Sequence, residues 1–218
     1  MRGLPAVSVS ARCVTDALST VDAKLMTAAA PLVAQGGAPQ LPGQVDASRV
    51  VAGTYAVDNH HAQIQWTVNH FGFNDYFGIF GQPTGSLTID PAKPNDAKVS
   101  ITIPVSDLAT SRADLTKHMM SPDFLDAAKF PTATFESTKV VATGNTAKVT
   151  GNLTLLGVTK PVVLDATFTG AGTNPMSRKA TIGFHGATTI KRSDFGMAKY
   201  VPMVGDDVKI AISIAFEK

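Results

Sequence analysis

The chain has 218 residues, 44% of them hydrophobic, and a net charge of +2, which is enough apolar material for one sizeable domain plus extensions. Lys and Arg are scattered, so no basic face for nucleic acid stands out. Cys13 is the only cysteine, which excludes a disulfide framework and a cysteine-based metal site, and no apolar run approaches the ~20 residues of a membrane-spanning helix.

Residues 1–50 are rich in Ala, Pro, Gly, Ser and Val and hold no sustained period. Within them, Thr27–Ala34 (TAAAPLVA) followed by Gln35 reads as the tail of a secretory signal peptide, with Leu32-Val33-Ala34 as an A-x-A-like cleavage pattern and Lys24 as its charged flank. Pro31 interrupts the short apolar stretch, and residues 1–23 are unlike an ordinary leader start. The expectation is a leader over 1–34, removed on export; the alternative is a disordered tail that is not cleaved. Residues 35–52 read as a flexible lead-in, and 53–218 as the folded domain.

From Gly53 the pattern is strands. Tyr55–Asp58 opens the series. Ala62, Ile64, Trp66 and Val68 then alternate with Gln63, Gln65, Thr67 and Asn69, which gives a strand with one apolar face. The same alternation covers Gly85–Asp90, Ala97–Ile103, Ala133–Ala142, Lys148–Leu155, Val162–Thr169, Ala180–Gly186 and Val208–Glu217. Gly144-Asn145 marks a hairpin turn. Strands apolar on one side and wet on the other are antiparallel. Eight or nine in series, with no helical crossovers, predict a sandwich or a closed barrel. Small residues at inward positions, Gly151, Ala166, Ala180 and Gly186, favour some interior space.

Two stretches depart from plain alternation. Trp66–Phe80 (WTVNHFGFNDYFGIF) holds six of the fifteen aromatic residues, broken by Gly72 and Gly78; it reads as a strand, a tight turn and the next strand. Its rings form either a core corner or the mouth of an apolar pocket. About halfway along, Ser111-x-x-Asp114 resembles a capping box, with Leu115, His118 and Met119 at helical spacing. Ser121-Pro122 starts a second short helix carrying Phe124, Leu125 and Ala128. These two helices are expected to cover one end of a barrel.

Catalytic and metal motifs are sparse. No HExxH, G-x-S-x-G, Walker A or G-x-G-x-x-G occurs. His60, His61 and His70 make at most a weak zinc set. Arg192 and Asp194 read as a structural ion pair before the last strand.

Four motifs carry a family resemblance. They are Tyr55-x-x-Asp58-x-x-His61-x-x-Ile64-x-Trp66-x-Val68-x-His70, Ser121–Phe135 (SPDFLDAAKFPTATF), Asn152–Val162 (NLTLLGVTKPV) and Lys191–Met197 (KRSDFGM). In this order they resemble the YceI-like polyisoprenoid-binding proteins over about Gly53–Lys218. Ala62 departs from the pattern, where Ser is common after the His, and so does the N-terminus, where a clean signal peptide is expected.

The resemblance implies an all-β, lipocalin-like antiparallel β-barrel of about eight strands with a short helical segment, exported to the periplasm. Its lumen would hold a long isoprenoid or another amphiphile. No catalytic residue, metal or cofactor is implied; the bound molecule is an isoprenoid lipid or an isoprenoid quinone, and a homodimer stays open. With the resemblance added, ring clustering and the helical segment place the ligand against Trp66, Phe71, Phe73, Phe77, Phe80, Leu115, His118, Met119, Phe124, Leu125 and Phe184. A diphosphate head would want Arg112, Lys117, Lys191 or Arg192. A quinone head would want Asn69, Asn74, Tyr76 or His118. The rival readings are a lipid-acting enzyme with His61 or His118 as base, and a structural barrel packed solid.

Overall fold

Strands with one aliphatic face bury it only by standing side by side around a shared interior. The computed structural model describes residues 40–218 and does so with eleven antiparallel strands: β1 (Gly53–Val57), β2 (Gln63–His70), β3 (Asn74–Phe80), β4 (Thr84–Ile89), β5 (Lys98–Pro104), β6 (Leu108–Ala109), β7 (Thr132–Thr143), β8 (Thr146–Leu155), β9 (Val158–Thr173), β10 (Ala180–Lys191) and β11 (Val204–Glu217). Eight of them close in the order β1-β4-β5-β7-β8-β9-β10-β11, with β11 returning to β1 through Ala56–Glu217 and Val57–Phe216. This is the lipocalin-like eight-strand barrel that the resemblance implies, and the closed-barrel alternative of the two that the alternation allows. The leader expected over 1–34 lies outside the described residues.

The remaining strands grow from the length of β11. Its last residues meet β1, while Val208–Ser213 pair with β2, which continues through β3 to the two-residue β6. The interior therefore has two parts. One is a core around Tyr55, Leu87, Ile101, Phe135, Ile182 and Phe216. The other is a packed plug of Trp66, Val105, Leu108, Leu125, Ile190, Phe195 and Met197.

The helical segment is half of what its spacing predicts. One helix forms, α1 (Ala113–Met119). Its capping box does not: Arg112 stands at the N-cap with no side-chain capping bond, and the Ser111 hydroxyl lies 2.8 Å from that of Tyr76. The stretch after Ser121 is a chain of turns. The Leu125 and Ala127 amides bond back to Met119 and Met120, and Asp126 takes a left-handed φ of 41°. That reversal drives Leu125 into the plug, which a continuing helix from Ser121 would not do.

Arg192 also differs from expectation. It forms no ion pair with Asp194; its buried guanidinium donates to the carbonyls of Gly205, Met197, Lys199 and Val204. Burial pulls its pKa below the ordinary guanidinium value, with Asp206 opposing, and Arg remains charged throughout. It is a bracket tying the 196–203 loop to the start of β11.

No helix among the described residues is long and apolar enough to cross a membrane. The part of the lead-in from Gln40 to Ala52 is laid against the barrel, with Gln44 bonded in both directions to Ala171 of β9.

Candidate functional site

A closed eight-strand barrel has an interior just wide enough for side chains to fill, so a hollow needs small residues in register. Ala147 of β8 faces Ala166 of β9, Ala166 faces Gly186 of β10, and Gly186 faces Ile212 of β11. Across these three strands the inner wall stands back, and a cavity of about 450 Å³ opens beside it. That volume lies within the range of small-molecule sites. Not every small residue serves this end. A Cβ at Gly151 would overlap the Phe135 ring, whereas one at Gly186 would meet Ile212 only at ordinary contact distance. Gly151 makes room for a side chain; Ala166 and Gly186 leave room unfilled.

The rest of the wall is aliphatic and aromatic. Ile101, Val149, Leu164, Ile182, Ile210 and Ile214 line it, with the rings of Phe135, Phe168, Phe184 and Phe216. Phe168 and Phe184 stand 5.9 Å apart between ring centres, and Phe184 and Phe216 6.3 Å. Ile210, Ile212 and Ile214 point inward yet stay only partly buried, because they border open space. Among the described residues, no Lys, Arg, Asp or Glu lines the cavity. The polar lining residues are Asn145, Thr146, Thr188 and His185, the last at an exposed, outward position of β10.

Of the residues expected to hold a ligand, Phe184 alone lines this cavity. Trp66 and Leu125 are buried in the plug, with Phe80 and Met119 packed against it. Gly78 has no side chain because a Cβ there would come within 2.5 Å of the Trp66 indole. Leu115 is half-buried on α1, and Phe124 packs between His118 and Tyr200, at 5.2 and 6.0 Å. Phe71, Phe73 and Phe77 face solvent, at 44%, 90% and 61% exposure.

The reason is strand parity. Pairing Trp66 with Gly78 and Thr67 with Phe77 puts Trp66 inside and Phe77 outside, and Phe71 and Phe73 fall in the turn itself. Phe73→Ala is therefore expected to leave extractable lipid unchanged and to shift stability by less than about 0.5 kcal/mol, checked by thermal melting and lipid extraction. A loss of lipid would return the hairpin tip to the site.

The head-group candidates are likewise elsewhere. Arg112 is paired with Asp114 at 2.7 Å and Lys191 with Asp207 at 2.9 Å, Arg192 is internal, and Lys117 is exposed on α1. Asn69 ties the β2–β3 turn by accepting from the Gly72 amide at 2.8 Å; Asn74 begins β3, and Tyr76 stacks on Trp66 at 6.4 Å. His118 lies 3.2 Å from Asp123, whose carboxyl is held below its ordinary range, first by Lys199 and then by His118 itself. His61 pairs with Asp58 at 2.7 Å. Neither histidine lines the cavity. No set of three or more His, Cys, Asp or Glu able to hold a metal occurs among the described residues, so His60, His61 and His70 are not brought together as ligands.

The YceI-like domain pattern matches residues 55–216. Among curated relatives, a UPF0312 protein of Pseudomonas paraeruginosa is 39% identical over 170 residues, covering 77% of this chain and 88% of that protein. One from Azotobacter vinelandii is 40% identical over 171 residues with the same coverage. Among solved structures, Burkholderia cenocepacia BcnA superposes with a TM-score of 0.66 at 27% identity, over 73% of this chain and 98% of that one. A Campylobacter jejuni YceI protein gives 0.61 at 29%, over 69% and 89%. A polyisoprenoid-binding domain from Saccharophagus degradans, implicated in plant cell wall breakdown, gives 0.59 at 13% identity over 75% and 97%, and shares the fold.

Proposed function

This chain belongs to the YceI-like family, and on that premise we propose that its barrel holds a long-chain isoprenoid or a similar amphiphile in the lumen, in an exported protein that stores, carries or shields the lipid. The observation that carries the reading is the composition of the cavity wall, which is apolar apart from Asn145, Thr146, Thr188 and the outward His185. Burying each methylene contributes about 0.8 kcal/mol, so a tail gains affinity from length without directional contacts. The same wall sets the position of the head group. A charge in an apolar lumen with no counter-ion is heavily penalised, so a charged head stays at the mouth or beyond it, while a neutral one can enter. The family resemblance and the Leu32-Val33-Ala34 pattern before Gln35 support export.

Mass spectrometry of organic extracts from the purified full chain tests this. The expected result is a near-stoichiometric isoprenoid or other long-chain lipid. Lipid-free protein that also takes up neither farnesol nor an isoprenoid quinone from detergent micelles would overturn the reading.

A further inference from the structure

Two elements of the barrel wall at the cavity are loops, Pro91 and Pro94 between β4 and β5 and the Gly144-Asn145 turn between β7 and β8. Ala47 and Val50 of the preceding segment line the cavity alongside them. This is the border of the cavity that is built from loops, and of residues 42–50 it includes Ala47 and Val50.

Those residues form a small unit of their own. The Asp46 carboxylate accepts from the Ser48 amide at 2.9 Å and from the Ser48 hydroxyl at 2.7 Å; the Arg49 amide bonds to Asp46, the Val50 amide to Ala47, and the Arg49 guanidinium to the Pro42 carbonyl at 3.1 Å. Among the described residues, the backbone-to-backbone bonds from 42–50 to the barrel are those of one pair, Gln44 with Ala171, at 3.1 and 2.8 Å. The segment is held together internally and attached to the barrel at few points, by the Gln44 backbone and by Val50 packed against the core, while most of its residues are exposed, which is the pattern of a unit that opens locally at low cost.

The barrel has a seat cut for it. Gly170 and Gly172 flank Ala171 on β9. A Cβ at Gly172 would overlap the Pro42 carbonyl, and one at Gly170 would meet the Gln44 backbone at 3.2 Å. β-Strands lose stability by holding glycine unless another backbone must approach closely, and here one does.

We propose that residues 42–50 are the gate of the lumen: seated on Gly170–Gly172 they complete the wall with Ala47 and Val50, and they lift as one piece about Val51–Ala52 to admit and release the lipid. This rests on the lumen reading above, and its test separates the two. The probe is a dansyl-labelled farnesyl amine, loaded into the full chain carrying Cys13→Ser, with release followed by fluorescence after dilution into empty vesicles. Gln44→Cys with Ala171→Cys places cysteines on a directly paired position, where the Cα separation of an antiparallel hydrogen-bonded pair, ~5.5 Å, suits a disulfide.

Oxidation is expected to slow release by at least about tenfold, and reduction of the same sample to restore it, since exchange differences of this kind reside in the off-rate. Gly172→Val, which unseats the segment at Pro42, is expected to speed release. Probe bound by every form but released at one rate, oxidised, reduced or Gly172→Val, would overturn the gate and leave the lumen reading standing. A wild-type chain that binds no probe would overturn both.

Discussion

Ala166→Trp is expected to empty the barrel. Ala166 sits between Ala147 and Gly186 on the inner wall and lines the cavity, so the new ring projects into space that the lipid would occupy. The predicted loss of apparent affinity is at least about tenfold, a 1.4 kcal/mol difference, read as lipid recovered per mole of protein. Overpacking a filled core by this much usually costs ~1–3 kcal/mol or more. Here the ligand-free protein should melt close to wild type, because the ring enters a void. Ile182→Ala is the contrasting variant. Ile182 lies on the same wall but is 1% exposed, and its truncation is expected to cost ~2–5 kcal/mol of stability. An Ala166→Trp protein that keeps its full lipid content would show that the ligand lies outside the barrel.

Arg192→Met is expected to be the most destabilising exchange outside the lumen, by about 3–5 kcal/mol. Four carbonyls, from Met197, Lys199, Val204 and Gly205, lose their charged donor together. For a domain of this size that corresponds to roughly 10 °C in melting temperature. Arg192→Lys should recover little, because an ammonium cannot reach several separately directed acceptors as the planar fork does. Calorimetry of both variants checks it. A Lys variant that melts with wild type would mean that charge, and not the fork, is what the loop requires.

The barrel was legible because its cause is local. Side chains alternate along a strand with period two, and the aliphatic face of Ile64–Val68 or Val208–Phe216 is visible without knowing the partner strand. The cavity was not, because it depends on register between strands. Ala147, Ala166 and Gly186 are unremarkable one by one and become a recess only when paired. The same limit moved the aromatic corner. WTVNHFGFNDYFGIF shows its rings plainly, but which rings enter the interior depends on where the turn falls. Placing it at Phe71–Phe73 sends Phe77 outward with Thr67. Reading Gly78 as the partner of Trp66 would have fixed that parity, since a glycine opposite the largest side chain marks where its ring lies. The second helix failed for a different reason. Ser121-Pro122 is a sound helix start, yet burying Leu125 in the plug outweighs the propensity of a few residues.

The seam between β1 and β11 carries a consequence for how the domain comes into being. It joins Ala56 and Val57 to Glu217 and Phe216, positions far apart in sequence, so the wall cannot shut until β11 has been made and brought back to β1. Pairings between such distant positions are the slow events of β-protein folding, because the intervening loop must be closed before any contact rewards it. A nascent chain of this protein is therefore an open sheet with two bare edges and an uncovered aliphatic face, an aggregation-prone species. It is also a chain still slack enough to be threaded or passed to a chaperone, and it gives up that freedom when β11 closes on β1.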